Sequence, residues 1–302
     1  MKYHVPVLLN ESIEGLNIHP KGIYVDATFG GGGHSAAILA KLNGGHLFGF
    51  DQDSDAKQNG FDSEQFTFVH HNFAYVKNFI QYFGVDGVDG ILADLGVSSH
   101  HFDDAERGFS FRHDGPLDMR MDRSVKKNAS DVVNEYDERQ LTDIFRNYGE
   151  IANARRLAQE IIACRNAAPI VSTEQLKQIG QKFCNKQTEN KYLSQVFQAL
   201  RIEVNNEMQA LKDFLSGGLA VLKPGGRFVV ITYHSLEDRL VKNFFKTGNV
   251  EGVVEQDFYG NISSPFTAVS KKVIVPSDEE IKENNRARSA KLRIVEKNGK
   301  RN

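Results

Sequence analysis

The chain has 302 residues, 40% hydrophobic and 25% charged, with a formal net charge of −2, enough for one large globular domain or two ordinary ones. Near-neutrality gives no overall pull toward nucleic acid, so a polyanionic partner would have to be met by a local basic face. Cys164 and Cys184 form no Cys-x-x-Cys pair, which argues against a disulfide framework or a thiolate zinc site, and no apolar run approaches the ~20 residues of a membrane span.

With no signal-peptide pattern at the start, the expectation is a cytoplasmic protein with no membrane partner and no metal. In chain order, residues 22–26 read as a strand, 35–42 as a helix, and 46–51, 66–71 and 90–94 as three further strands. This β-α-β rhythm predicts an α/β fold, a parallel sheet covered by helices on both faces. Asp26, Asp51 and Asp94 each end a strand. The carboxyl ends of parallel strands line the ligand crevice of an open sheet, so three acids are expected in one place.

The rhythm resumes only at 224–232, more than a hundred residues later, whereas a crossover needs only about a dozen. An insertion is therefore predicted. Its early part, 98–122, is rich in Gly, Asp, Arg and Phe and reads as a long functional loop. From 131 to 200 the pattern turns helical, with helices at 137–148, 151–165 and 172–182 and another at 204–215 that ends before Gly217-Gly218. The expected organisation is a discontinuous sheet domain of residues 1–125 and 204–302, carrying an all-helical subdomain for substrate recognition at 126–203. Two more strands are expected at 266–269 and 290–295.

The run Gly30-Gly31-Gly32-Gly33 follows the first strand and admits three ligands. A phosphate loop would end in Gly-Lys-Ser/Thr, and His34 stands in place of the lysine. A dinucleotide fingerprint fits better, since Gly30, Gly32 and Ser35 nearly meet its spacing and Asp51 follows about twenty residues on, but its glycines are spaced rather than contiguous. A methyl donor such as S-adenosylmethionine has a cationic sulfonium and no phosphate. Asp26 would suit its amino group, bare glycine amides its carboxylate and Asp51 its ribose, with Asp94 facing the place where methyl and acceptor meet. Three acids favour such a cation and would repel a diphosphate. His234, after the fifth strand, is placed to accept or donate a proton, although a lone histidine is more often structural.

Several blocks carry a resemblance: His4-Val5-Pro6-Val7-Leu8-Leu9, Asp26-Ala27-Thr28-Phe29 with the four glycines and His34-Ser35, Asp94-Leu95-Gly96-Val97-Ser98-Ser99, Glu106-Arg107-Gly108-Phe109-Ser110-Phe111, Asp118-Met119-Arg120-Met121-Asp122, Tyr233-His234-Ser235-Leu236-Glu237-Asp238 and Asn285-Arg286-Ala287-Arg288. With these the chain resembles the bacterial small-subunit ribosomal RNA cytosine-N4 methyltransferases of the RsmH or MraW type. The resemblance implies a class I, Rossmann-like methyltransferase sheet with an inserted helical subdomain and S-adenosyl-L-methionine as cofactor. It implies donor contacts at Gly32, Gly33, His34, Asp51, Phe73, Asp94 and His101, the last standing where the family commonly has glutamine. It also implies a cytidine in the decoding region of 16S rRNA, within the small ribosomal subunit, as substrate. Asp94 and His234 are then the catalytic candidates, and Asp26 a secondary donor contact.

Residues 103–122 bring together Arg107, Phe109, Phe111, Arg112 and Arg120, the basic and aromatic mix that single-stranded RNA recognition uses. The alternative is a loop that packs its own phenylalanines. The rival readings for the whole chain are a dinucleotide oxidoreductase and an RNA-binding assembly factor without turnover. No motif encodes the oligomeric state, and a homodimer is carried as a possible partner.

Overall fold

In the strands that build the sheet, neighbouring apolar residues go to opposite faces. Tyr24, Leu92 and Val229 pack into one core with Leu8, Leu16 and Leu292, while Val25, Ile91 and Val230 pack into another with Phe50, Phe214 and Phe228. The period-two pleat requires this alternation, and two covered faces are why these segments read as continuous apolar runs. Burying each large apolar side chain contributes about 1.5–3 kcal/mol.

The computed structural model describes residues 6–96, 104–254, 256, 264–270 and 272–299. Seven strands form one sheet: β1 (Ile23–Asp26), β2 (His46–Asp51), β3 (Phe66–His70), β4 (Val88–Asp94), β5 (Leu222–Thr232), β6 (Phe266–Ala268) and β7 (Lys291–Lys297). Their order is β3-β2-β1-β4-β5-β7-β6. All neighbours from β3 to β5 are parallel, and β7 runs antiparallel to both β5 and β6. The chain order reverses between β1 and β4, the switch point at which an open α/β sheet takes its ligand.

Helices α1 (Leu9–Leu16), α2 (Gly33–Leu39) and α3 (Val76–Tyr82) precede the insertion. Within it lie α4 (Ala129–Glu135), α5 (Glu138–Asn147), α6 (Ala154–Ala167), α7 (Thr173–Gln181) and α8 (Glu189–Asn205); α9 (Glu207–Val221), α10 (Ser235–Thr247) and α11 (Asp278–Glu283) follow. The expected break at Gly217-Gly218 does not occur. Both glycines are buried inside α9, and a Cβ on Gly218 would lie 2.7 Å from the Phe228 ring. Here glycine permits close packing of a helix on a strand residue rather than ending the helix.

The chain divides into two compact units, Met1–Gly96 with Gln209–Asn302, and Val97–Met208. The second begins well before the expected 126. Phe109, Leu117 and Met119, in the stretch that reads as loop, are buried in the core that Val132, Leu141, Phe145, Leu157, Ile161, Leu176, Val196 and Leu200 form. Three of its helices open on reciprocal caps, Asn128 with Asp131, Asp137 with Gln140 and Ser172 with Gln175. Each satisfies two otherwise orphaned amides.

Candidate active site

The carboxyl ends of β1, β2 and β4 carry Asp26, Asp51 and Asp94, and the loop after β1 is organised around the first two. Gly30 and Gly32 have left-handed φ of 50° and 77°, a conformation other residues adopt only under strain. The Gly30 amide donates to Asp51 Oδ2 at 2.8 Å, Asn59 Nδ2 donates to the Gly30 carbonyl at 3.1 Å, and the Gly32 amide donates to the Phe29 carbonyl at 2.8 Å. The four glycines therefore divide by task. A Cβ on Gly33 would lie 2.3 Å from Pro6 and one on Gly32 3.1 Å from the Phe29 ring, whereas one on Gly31 would meet no heavy atom within 4 Å among the described residues.

Asp26 is buried, and its carboxylate accepts from Ser35 Oγ at 2.7 Å and from the Thr28 amide at 3.1 Å. Burial pushes its carboxyl above the usual range, and the nearby His34, Ser35 and Thr28 offset part of that rise. The sequence places Asp26 against a ligand's amino group. Instead both oxygens engage groups inside the turn, so this acid ties α2 to the end of β1. His34 is buried with Nε2 3.2 Å from the Val7 carbonyl, and its ring acts electrostatically on both Asp26 and Asp94.

At the end of β2, Asp51 is partly exposed and its Oδ1 accepts from the Asp53 amide at 2.9 Å. Beside it lies a polar pair that sequence reading missed: Asn72 Nδ2 donates to Gln52 Oε1 at 2.8 Å. Asn72 also caps the turn Phe73–Tyr75, setting the half-buried Phe73 ring edge-on to Phe214 at 5.1 Å. No motif announces Gln52 and Asn72; the signal was only that each follows a strand end.

Asp94 closes the arrangement. Its amide donates to Thr28 Oγ1 at 2.7 Å. Its Oδ1 is buried with no hydrogen-bond partner among the described residues. Burial raises the Asp94 carboxyl, against the opposing effects of His34, Tyr233 and Gly96. Burial also drives the Tyr233 phenol far upward, with the Asp94 charge adding to it, so Tyr233 stays a protonated donor at any working pH.

His234 is the N-cap of α10. Its Nδ1 accepts from the Glu237 amide at 3.5 Å, its Nε2 lies 3.0 Å from Glu237 Oε1, and Glu237 Oε2 accepts from the Tyr233 amide at 3.0 Å. Through Nδ1 the ring caps a helix start, while Nε2 is buried with no hydrogen-bond partner among the described residues. His101 lies outside the described residues.

In the second unit the five candidate RNA contacts separate. Arg107 is 2% exposed and donates to the Arg120 and Met121 carbonyls at 3.0 and 3.1 Å, while Phe109 is 4% exposed in the helical core. Their burial withdraws both from any base or phosphate, as a loop packing its own phenylalanines requires. Phe111 packs edge-on to Phe197 at 5.5 Å. Arg120 forms a bidentate pair with Asp118, both contacts 2.8 Å, and donates to the Val125 carbonyl. Arg112 is exposed.

The strand order, the single reversed strand β7 and the glycine turn between strand-end acids define a class I methyltransferase fold. The chain matches the model of the MraW methylase family over residues 1–298 and belongs to that family. It is similar to proteins called ribosomal RNA small subunit methyltransferase H. The one from Phocaeicola vulgatus is 59% identical over 296 residues, spanning 98% of this chain and 97% of the relative. That from Flavobacterium johnsoniae is 57% identical over 298 residues, spanning 98% of each.

Proposed function

We propose that this chain transfers a methyl group from S-adenosylmethionine to the exocyclic N4 of a cytidine in the decoding region of 16S rRNA, within the small ribosomal subunit. Its membership of a methylase family and its full-length likeness to small-subunit rRNA methyltransferases support the coarser activity, methylation of ribosomal RNA with this donor. The observation that carries the finer reading is Asp94 Oδ1, a buried acceptor without a partner among the described residues. Such an atom calls for a donor from a ligand, and an exocyclic amine brings two N–H groups.

The residues present suit the methyl donor. When bound, S-adenosylmethionine supplies a methyl group on a cationic sulfur. The open side of Gly31 leaves room beside the turn, and the partly exposed Asp51 at the end of β2 suits ribose hydroxyls. Gly32, Gly33 and His34 shape the wall next to it, and the half-buried Phe73 ring offers an apolar surface for a base. Asp94 accepts a hydrogen bond from the amine, which orients the nitrogen lone pair and raises its electron density. Because burial raises its carboxyl, Asp94 also accepts a proton from N4 more readily than an ordinary carboxylate does. Alignment supplies most of the acceleration, since effective molarities of oriented groups reach about 10⁵ M or more.

Incubation of the purified chain with small ribosomal subunits and methyl-labelled donor, followed by digestion to nucleosides, is expected to place the label in N4-methylcytidine. Label confined to any other nucleoside would end this reading.

A further inference from the structure

A chain with a net charge of −2 meets a polyanion only through a local basic face. Two of the arginines that the sequence offers for RNA are taken up inside the protein, Arg107 by main-chain carbonyls and Arg120 by Asp118. The first unit carries a basic face of its own, built on α10 and β7.

Helix α10 has five charged side chains, and both of its acids are withdrawn from the surface charge. Glu237 is buried beside His234, and Asp238 accepts from Arg293 Nε at 2.8 Å and from Lys291 Nζ at 3.3 Å. The three cations, Arg239, Lys242 and Lys246, are all exposed. Steps of three and four residues set them in one stripe along about 10 Å of helix. Lys242 and Lys246 make no ion pair among the described residues, so no existing contact has to break before they meet an anion.

Strand β7 widens the stripe on the sheet face that α10 covers. Its Lys291 and Arg293 share the single carboxylate of Asp238, which leaves a positive charge uncompensated. Arg293 bonds through Nε, and its two terminal amino groups have no partner among the described residues. A guanidinium so held still offers donors in the planar geometry that fits phosphate oxygens. Asp238 lies one turn before Lys242, so the strand cations and the helix cations are neighbours.

This face begins at the site. Helix α10 opens directly after β5, and across the sheet Asp94 pairs with Ile231 and Ile231 with Leu292. Two strand spacings, about 10 Å, therefore separate Asp94 from the start of β7. We propose that Lys291 and Arg293 on β7, with Arg239, Lys242 and Lys246 on α10, form the surface on which RNA docks, holding backbone phosphates that flank the target nucleotide. The inference rests on ribosomal RNA as the substrate and adds the face that binds it. Contacts of this kind fix register and orientation rather than sequence, which is what delivery of one base to Asp94 requires.

The test removes two cations that lie outside the donor turn and the Asp94 site, with Lys242→Ala and Lys246→Ala combined in the full chain. In filter binding to protein-free 16S rRNA, the slope of log affinity against log salt is expected to fall by about 1.5 units, the loss of two phosphate contacts. With small ribosomal subunits and S-adenosylmethionine, the KM for subunits is expected to rise about tenfold or more, while kcat and the KM for the donor stay within about twofold. A control, Lys21→Ala with Lys41→Ala, removes the same charge from exposed positions before β1 and after α2 and is expected to change neither quantity. An unchanged slope, or an equal loss in the control, overturns the proposal. So does a higher KM for subunits with an unchanged slope on protein-free RNA, because the face would then meet a ribosomal protein. If wild-type label is found in a different nucleoside, the N4 reading fails; the slope still decides the docking face.

Discussion

Ser35→Ala separates an acid that organises the turn from one that meets the ligand. Ser35 is fully buried and its hydroxyl donates to Asp26 Oδ2 at 2.7 Å, leaving the Thr28 amide as the other contact to that carboxylate. A hydrogen bond to a charged group is worth about 1.5–3 kcal/mol and one between neutral groups about 0.5–1.5 kcal/mol, so the loss depends on whether Asp26 is ionised. The direction with pH follows from burial, which raises the folded-state carboxyl above its unfolded value. The folded protein then holds the proton more tightly, and the stability this gives is present in full below the unfolded pKa and is lost as pH rises through the folded one. Deleting the hydroxyl raises the folded value further and deepens that loss. Urea denaturation of both proteins is expected to show the variant destabilised by about 1.5–3 kcal/mol at the alkaline end and by about 1 kcal/mol near pH 4. An equal difference at both ends, or none, would refute a turn built on a buried Asp26.

The glycines allow a paired comparison. Gly33→Ala, with its Cβ 2.3 Å from Pro6, is expected to destabilise by about 1–3 kcal/mol, while Gly31→Ala leaves the melting temperature unchanged and weakens donor binding by about tenfold in calorimetry. Equal thermal stability of the two variants would contradict the division of tasks. In the second unit, Arg107→Ala is expected to destabilise by roughly 2–4 kcal/mol, since it empties the place of a buried side chain and strips two part-buried carbonyls of their donor, whereas exposed Arg112→Ala changes stability by less than about 0.5 kcal/mol. If Arg112 meets a phosphate, its loss also lowers the salt dependence of RNA binding by about one unit of slope in filter-binding titrations; an unchanged slope removes it from the interface.

The sheet was legible because it depends on local signals. Tyr24-Val25 and Ile91-Leu92 alternate between two cores, and an acid closes each of β1, β2 and β4. The insertion showed itself through the length of the gap, but its start did not, because Phe109, Leu117 and Met119 stand among glycines and charges with no helical period to mark them as core. Burial of Arg107 is likewise invisible in sequence: a buried guanidinium and a phosphate-binding one look the same until the carbonyls at Arg120 and Met121 are placed. The two roles of His234, helix cap or proton carrier, differ only in what its ring nitrogens face.

The central claim is that Asp94 serves methyl transfer to cytidine N4, and one measurement reaches it directly. In cells from which the chromosomal copy has been removed, 16S rRNA is digested and the decoding-region fragments are weighed by mass spectrometry, with the wild-type chain or Asp94→Asn supplied in its place. The expected result is a cytidine that lacks one methyl group in the deleted cells, regains it at N4 with the wild-type chain, and stays largely unmodified with Asp94→Asn present at equal abundance. Full methylation of that cytidine in the deleted cells, or its restoration by Asp94→Asn to wild-type extent, would contradict the account.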